Sequence, residues 1–155
     1  MVNHLDVSQG EADEILSQKK TAPRVEFRFS ARGQREIWEL AVGVITEQGL
    51  YKKALTIEFI CQQTLKPHRI NYKFSLFLTE HGRSQRVYQL DTTSVPICDE
   101  GGHDWPHQHI GQDRVKFDSS YPVNFEDSVA YFCQMTNVEL EEPIDSPFVF
   151  KLRPS

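Results

Sequence analysis

The sequence predicts an α+β domain, in which a mostly antiparallel β-sheet built from hairpins is covered by a C-terminal helix. Two patterns indicate this fold. Stretches between residues 24 and 91 alternate apolar and polar side chains, which is the period of half-buried strands. Residues 124–136 instead place apolar side chains at helical spacing behind an Asn124 N-cap candidate. The chain has 155 residues, of which 39% are hydrophobic. It is long enough to form one domain with a hydrophobic core and too short for two domains of ordinary size.

Residues 1–22 are polar, and we expect them to form an N-terminal arm or a short helix, with a single α+β domain over 23–155. The helix candidate is Glu11–Leu16, with acids early and lysines late as the helix dipole prefers. Its apolar face is thin, which predicts a frayed arm or a weakly docked helix, with an arm that grips a partner as the alternative. The start lacks the basic and apolar regions of a signal peptide and no apolar run is as long as a membrane span, so we expect a cytoplasmic protein. The three cysteines are scattered, which suits reduced thiols.

Strand alternation begins at Val25, and a turn is expected at 31–34. Residues 36–45 fit a strand or a helix; Gly43 and the β-branched second half favour a strand. A further strand is predicted over 55–60, and a loop over 66–69.

The clearest hairpin joins two alternating runs through a turn at 80–83. Its first strand carries Tyr72, Phe74, Leu76 and Leu78 on one side. A long loop over 92–104 follows, and loops of that length are usually functional or mobile.

A histidine cluster follows that loop. Residues 103–109 hold three of the six histidines. If Pro106 opens a strand, the period of two places His107 and His109 on the same face. Residues 114–117 are expected to continue that strand.

The cluster suits cleavage of RNA by acid–base chemistry. One histidine would remove the 2′-hydroxyl proton and the other would protonate the leaving oxygen, because imidazole titrates near neutrality. Candidates for the cation that stabilises the developing charge are Arg114, Arg86 and Lys73. Asp91 or Asp113 would orient a ring, and we expect a bell-shaped pH profile near neutrality and no cofactor.

Two other interpretations stay open. In the first, His103, His107 and His109 hold a divalent metal together with Asp104 or Asp113. In the second, the histidines have only a structural or binding role. Trp105 could stack on a base or pack as a lid on the sheet.

The order of Tyr72-Lys73, a hairpin, Val87–Asp91, the His107-Gln108-His109 pair and a helix opening at Phe125 resembles the TumE-like family of bacterial toxin–antitoxin systems. The resemblance covers roughly residues 55–137. This chain has Gln89 where the family has arginine, with Arg86 the nearest substitute, and Thr92 at the asparagine position.

The resemblance implies a toxin that acts on RNA and is neutralised by a protein antitoxin. Residue by residue, the family's aspartate matches Asp91 and its histidines match His107 and His109. The catalytic set predicted in full is His107, His109, Asp91, Arg114 and Arg86. The predicted binding set is Lys73, Trp105, Tyr88 and His103.

The competing class is a non-catalytic binding or inhibitor protein, for example one from a mobile element. The net charge of −5 argues against coating nucleic acid by bulk electrostatics. Basic residues nevertheless exceed acidic ones between 24 and 91, and the arginines at 24–35 form either a solvated face or a track for phosphates.

Overall fold

The computed structural model of the chain describes residues 5–46, 54–65, 68–94, 106–117 and 120–148. The helices and strands follow in chain order: β1 (Leu5–Asp6), α1 (Gln9–Ser17), β2 (Lys20–Ala22), β3 (Arg28–Arg32), β4 (Arg35–Thr46), β5 (Ala54–Leu65), β6 (His68–Glu80), β7 (Arg83–Thr93), β8 (His107–Ile110), β9 (Asp113–Lys116), α2 (Phe125–Thr136) and β10 (Val138–Leu140).

The ten strands of the described ranges belong to one sheet, with the order β10-β2-β4-β5-β6-β7-β8-β9. In addition, β3 pairs with β4 and β1 pairs with β7. The pairing is antiparallel except for β1 with β7 and β10 with β2. The predicted α+β class and its mostly antiparallel sheet are confirmed.

One face of the sheet carries the hydrophobic core. Alternation along β5, β6 and β7 turns Phe59, Phe74 and Leu90 to this face, and none of the three has exposed surface. Phe132 of α2 meets the Phe59 ring edge-on at a centroid distance of 5.1 Å, so the C-terminal helix covers the sheet as predicted. Among the described residues no helix covers the opposite face, which carries the alternate and mostly polar side chains and which we call the open face.

Helix α2 is fixed at both ends. The Asn124 side chain accepts a hydrogen bond from the Asp127 N–H at 2.7 Å, which confirms the predicted N-cap. At the other end Asn137 takes a left-handed conformation, and Lys20 Nζ donates to the carbonyl of Thr136 at 2.7 Å. Burial lowers the pKa of Lys20 to about 8.

The predicted N-terminal helix forms as α1, capped by the Ser8 hydroxyl, which accepts from the Glu11 N–H. Ala12 and Ile15 are fully buried. The helix therefore docks more firmly than its thin apolar face predicted, because two fully buried side chains suffice where the sheet and α2 already provide the rest of the core.

Some element boundaries differ from the sequence predictions. The strand expected from Val25 begins at Arg28, and β6 already includes Arg69 from the predicted loop. Thr92 and Thr93 remain in β7, so the predicted long loop starts later; most of it, residues 95–105, lies outside the described residues. Within the described ranges, no helix is both long and apolar enough to cross a membrane.

Strand β7 contains an irregularity that affects which residues share a face. Leu76 of β6 pairs with Tyr88 and Phe77 pairs with Arg86, so Val87 is an extra residue that has no cross-strand partner in β6. The edge neighbour of β7 changes at the same point. The Val7 N–H donates to the Arg86 carbonyl, whereas the Gly111 N–H donates to the Val87 carbonyl.

Candidate active site

The predicted histidine pair lies on the open face of the sheet. Strand β8 begins at His107, and His107 and His109 alternate with Gln108, as the sequence predicted. Residues 114–116 do not continue this strand, because the chain turns at Gly111, which has a φ of 57°, and returns as β9. The turn places Arg114 directly opposite His109.

Strand pairing aligns the polar side chains into rows across the open face. We call one the lysine–histidine row; it contains Lys73, Asp91, His107 and Lys116. We call its neighbour the glutamine–histidine row; it contains Ser75, Gln89, His109 and Arg114. Directly opposite residues in a sheet have Cβ atoms about 5 Å apart, so each row is a set of side-chain neighbours.

Asp91, His107 and His109 form the compact centre of these two rows. His107 Nε2 lies 3.2 Å from Asp91 Oδ2, and the two imidazole rings meet edge-on at a centroid distance of 5.0 Å. One ligand-type atom from each of the three residues lies within 4.8 Å of the others. Two imidazoles and a carboxylate at these distances can either transfer protons or bind a metal ion.

Arg86 is anchored beside His109 rather than reaching into solvent. Its guanidinium donates to both carboxylate oxygens of Asp6, at 2.8 and 3.2 Å, and to Gln89 Oε1 at 3.1 Å. Gln89 Nε2 in turn donates to Ser75 Oγ at 2.8 Å. The arginine therefore acts as a fixed positive charge at the edge of the cluster.

The surroundings of His109 favour its neutral form. Burial, followed by the charges of Arg86 and His107, lowers the pKa of His109 to about 4, against the opposing effect of Asp91 and Asp6. At neutral pH this imidazole can accept a proton.

An open cleft of about 500 Å³ begins at His107 and Asp91. It runs over the open face toward β3, and Lys73 lies along it. Its other polar lining residues are Ser30, Arg32, Glu39, Gln62, Asn71, Thr92 and Thr93. Within the described residues, the cleft therefore gives a substrate of the size of one or two nucleotides access to Asp91 and to the small exposed part of His107, whereas His109 adjoins His107 but does not line the cleft.

The helix α1 also reaches the site. Gln9 Nε2 donates to the Ile110 carbonyl at 3.0 Å, and Gln9 Oε1 accepts from the Gln112 N–H at 3.0 Å. These two bonds hold the turn between β8 and β9, and with it the positions of His109 and Arg114.

Tyr88 is apart from the other predicted site residues. It is fully buried on the helix-covered face, where its hydroxyl donates to Gln108 Oε1 at 2.8 Å. Gln108 Nε2 donates to the Tyr131 hydroxyl, so this network ties β8 to α2. Tyr88 supports the site from behind and cannot contact a substrate in the cleft. His103 and Trp105 lie outside the described residues.

The metal-ligating set that the structure brings together differs from the predicted one. Asp91 joins His107 and His109, whereas His103 and Asp104 lie outside the described residues. Asp113 pairs with Ile110, which packs toward the core, and so lies on the other side of the hairpin from the histidines.

Sequence reasoning missed Asp6, Gln89 and Ser75. Gln89 could have been found, because it is two residues from Asp91 and shares its face. Asp6 carries no such signal, since it is 80 residues from Arg86 and only the β1 to β7 pairing joins them.

Comparisons with protein-family models, curated proteins and solved structures give no match for this chain. The geometry of the site is therefore the basis for assigning a function.

Proposed function

We propose that this chain is a ribonuclease that cleaves RNA without a metal and acts as a TumE-like toxin neutralised by a protein antitoxin. The observation that carries the catalytic part is the convergence of Asp91, His107 and His109, of which Asp91 and His107 line one end of an open polar cleft. The toxin part rests on the sequence resemblance.

The residues divide the reaction between them. His109, neutral at pH 7, accepts the proton of the 2′-hydroxyl as its oxygen attacks phosphorus. His107, oriented by Asp91, donates a proton to the 5′-oxygen as the bond from phosphorus to that oxygen breaks. The products are a 2′,3′-cyclic phosphate and a 5′-hydroxyl. Lys73 and Arg114 flank the cluster in its two rows and stabilise the charge on the phosphoryl oxygens.

Cleavage of an end-labelled RNA, with mass spectrometry of the products, tests this chemistry. We expect a cyclic phosphate terminus, and a loss of about 10²-fold or more for His107→Ala or His109→Ala, the usual contribution of a general acid or base. His81→Ala is the matched control, because His81 is exposed in the turn between β6 and β7. Absence of cleavage by the intact protein, or cleavage that survives both substitutions, would contradict the ribonuclease.

Expression in bacteria tests the toxin separately. Expression of the intact chain should arrest growth, and the His107→Ala/His109→Ala double variant should relieve the arrest. Unimpaired growth with a soluble, folded chain would remove the toxin assignment and leave the nuclease chemistry standing.

A metal-dependent hydrolase is the second candidate, because Asp91, His107 and His109 supply two imidazoles and a carboxylate with atoms within 4.8 Å. The nearby Arg86 charge opposes a dication. Metal analysis and a chelator decide between the two: stoichiometric metal in the purified protein, lost in the double variant, with activity abolished by the chelator, would favour this candidate.

A further inference from the structure

The open face carries a second basic row at its far end, opposite the histidines. Pairing of β3, β4, β5 and β6 aligns Arg32, Arg35, Thr64 and Arg69, which we call the arginine row. Arg32 and Arg35 are exposed, and Arg32 lines the cleft. Three guanidinium groups in one row form the kind of surface that contacts phosphates.

A row with different chemistry lies between the arginines and the histidines. It aligns Ile37, Gln62, Asn71 and Thr93, and we call it the carboxamide row. All four residues line the cleft. The Thr93 side chain is 4% exposed, and its Oγ1 has no hydrogen-bond partner within the described structure. Carboxamide groups pair with the edges of bases, and Ile37 adds apolar surface for a base face.

The spacing of these rows is regular along β6. Arg69, Asn71 and Lys73 belong to three successive rows on the same face. Because a strand advances roughly 3.3 Å per residue, the arginine row and the lysine–histidine row lie about 13 Å apart along the strands, while Arg35 in β4 and His107 in β8 are four strands, or about 19 Å, apart across the sheet. An extended oligonucleotide of several nucleotides bridges the resulting distance of roughly 23 Å, with bases over the row between the two ends.

We propose that the cleft binds single-stranded RNA diagonally across the sheet from β8 to β3, with the scissile phosphate at His107 and His109, a base on Gln62 and Asn71, and a phosphate further along the strand on Arg32 and Arg35. The inference deepens the proposed ribonuclease and rests on it for the position of the scissile phosphate. The strand must be single, because the edges that Gln62 and Asn71 would contact are already paired in a duplex and the deep groove of an RNA helix excludes side chains.

Binding to fluorescein-labelled oligonucleotides, measured by anisotropy over a salt series, tests the path. The probe is a hexanucleotide with 2′-O-methyl groups, which cannot be cleaved, so the result does not depend on catalysis. For the Arg32→Gln/Arg35→Gln variant we expect weaker binding of every sequence and a salt slope shallower by about 0.7, since the variant loses one phosphate contact and each such contact on a single strand contributes about 0.7. Lys19→Gln/Arg83→Gln is the matched control: both residues are exposed and outside the rows, and the change in net charge is the same.

The outcomes separate the path from the chemistry. Wild-type affinity and slope in the arginine variant, an equal loss in the control, or tighter binding of a duplex would overturn the single-strand path, whatever the cleavage assay shows. Loss of affinity in the arginine variant alone supports the path even if no RNA is cleaved, and in that case the proposed ribonuclease fails by itself. A Gln62→Ala/Asn71→Ala variant should retain the salt slope but lose discrimination between bases.

Discussion

The burial of His109 and the positive charge of Arg86 beside it set the pH at which this residue can act. A general base works only when unprotonated, so activity should rise with pH through the His109 pKa of about 4. We therefore expect the acidic limb of kcat/KM near pH 4, below the neutral range that isolated imidazoles would give. This revises the sequence-based expectation for that limb of the profile.

Arg86→Gln provides the matched test of this limb. This substitution removes a positive charge that lowers the pKa of His109. It leaves Asp6 and Asp91, which raise that pKa, so the acidic limb of the pH profile should move toward higher pH. The His109 Cε1 proton, followed by NMR over the same pH range, should show the same displacement. A limb near pH 6.5 in the wild type, or no movement in the variant, would contradict the role of His109 as base.

At the scale of elements, the contact of α1 with the turn between β8 and β9 depends on Gly111. Gly33 and Gly111 both have a positive φ, and an alanine in this conformation lowers the free energy of unfolding by about 1–2 kcal/mol. A Cβ at Gly111 would also lie 2.6 Å from Gln9 Oε1 and 3.1 Å from the Ala12 Cβ, whereas Gly33 faces open space.

Gly111→Ala should therefore lower the free energy of unfolding more than Gly33→Ala does, by about a further 1 kcal/mol, because Gln9 must give up its bond to the Gln112 N–H. Chemical denaturation of both variants measures the difference. Equal losses of unfolding free energy in the two variants would show that contact with α1 does not constrain the turn between β8 and β9.

The buried Lys20 joins β2 to the end of α2. Its amine donates to the carbonyls of Gln18 and Thr136, at 2.6 and 2.7 Å. Lys20→Met would leave both acceptors without this donor, so we expect the free energy of unfolding to fall by about 1–3 kcal/mol. Lys19→Met, at the exposed neighbouring position, should change it by less than about 0.5 kcal/mol. Similar values for the two variants in urea would rule out a role for Lys20 in holding α2.

At the scale of the whole molecule, stability should be concentrated in the long central strands. Strands β5, β6 and β7 each have a partner on both sides and bury Phe59, Phe74 and Leu90, whereas β9 is an exposed edge. Amide hydrogen exchange should be slowest in β6 and much faster in β9. Protection of β9 equal to that of β6 in the isolated chain would contradict this order.

The sequence allowed much of this fold to be predicted because the signals were local. Alternation from Tyr72 to Leu78 identified β6, and the spacing of His107 and His109 placed both on one face. The same counting would have separated Tyr88 from Asp91, which are three residues apart in one strand and so face opposite sides.

The features that could not be predicted depend on strand pairing between residues that are far apart in the sequence. The contact of Asp6 with Arg86 joins residues 80 positions apart, and the arginine row needs the register of four strands. Arg86 and Asp91 are five residues apart, so simple alternation puts them on opposite faces. They share the open face only because Val87 interrupts the alternation.

That interruption also determines where the strand tolerates a change in length. Loss of Val87 would restore ordinary pairing, with Arg86 still on the open face and Tyr88 still behind it. Loss of Leu90 would instead move Gln89, and every residue of the strand that precedes it, to the opposite face of the sheet. Homologous chains that are one residue shorter between Arg86 and Asp91 should therefore lack Val87, because only its loss leaves Arg86, Gln89 and Asp91 on the same face.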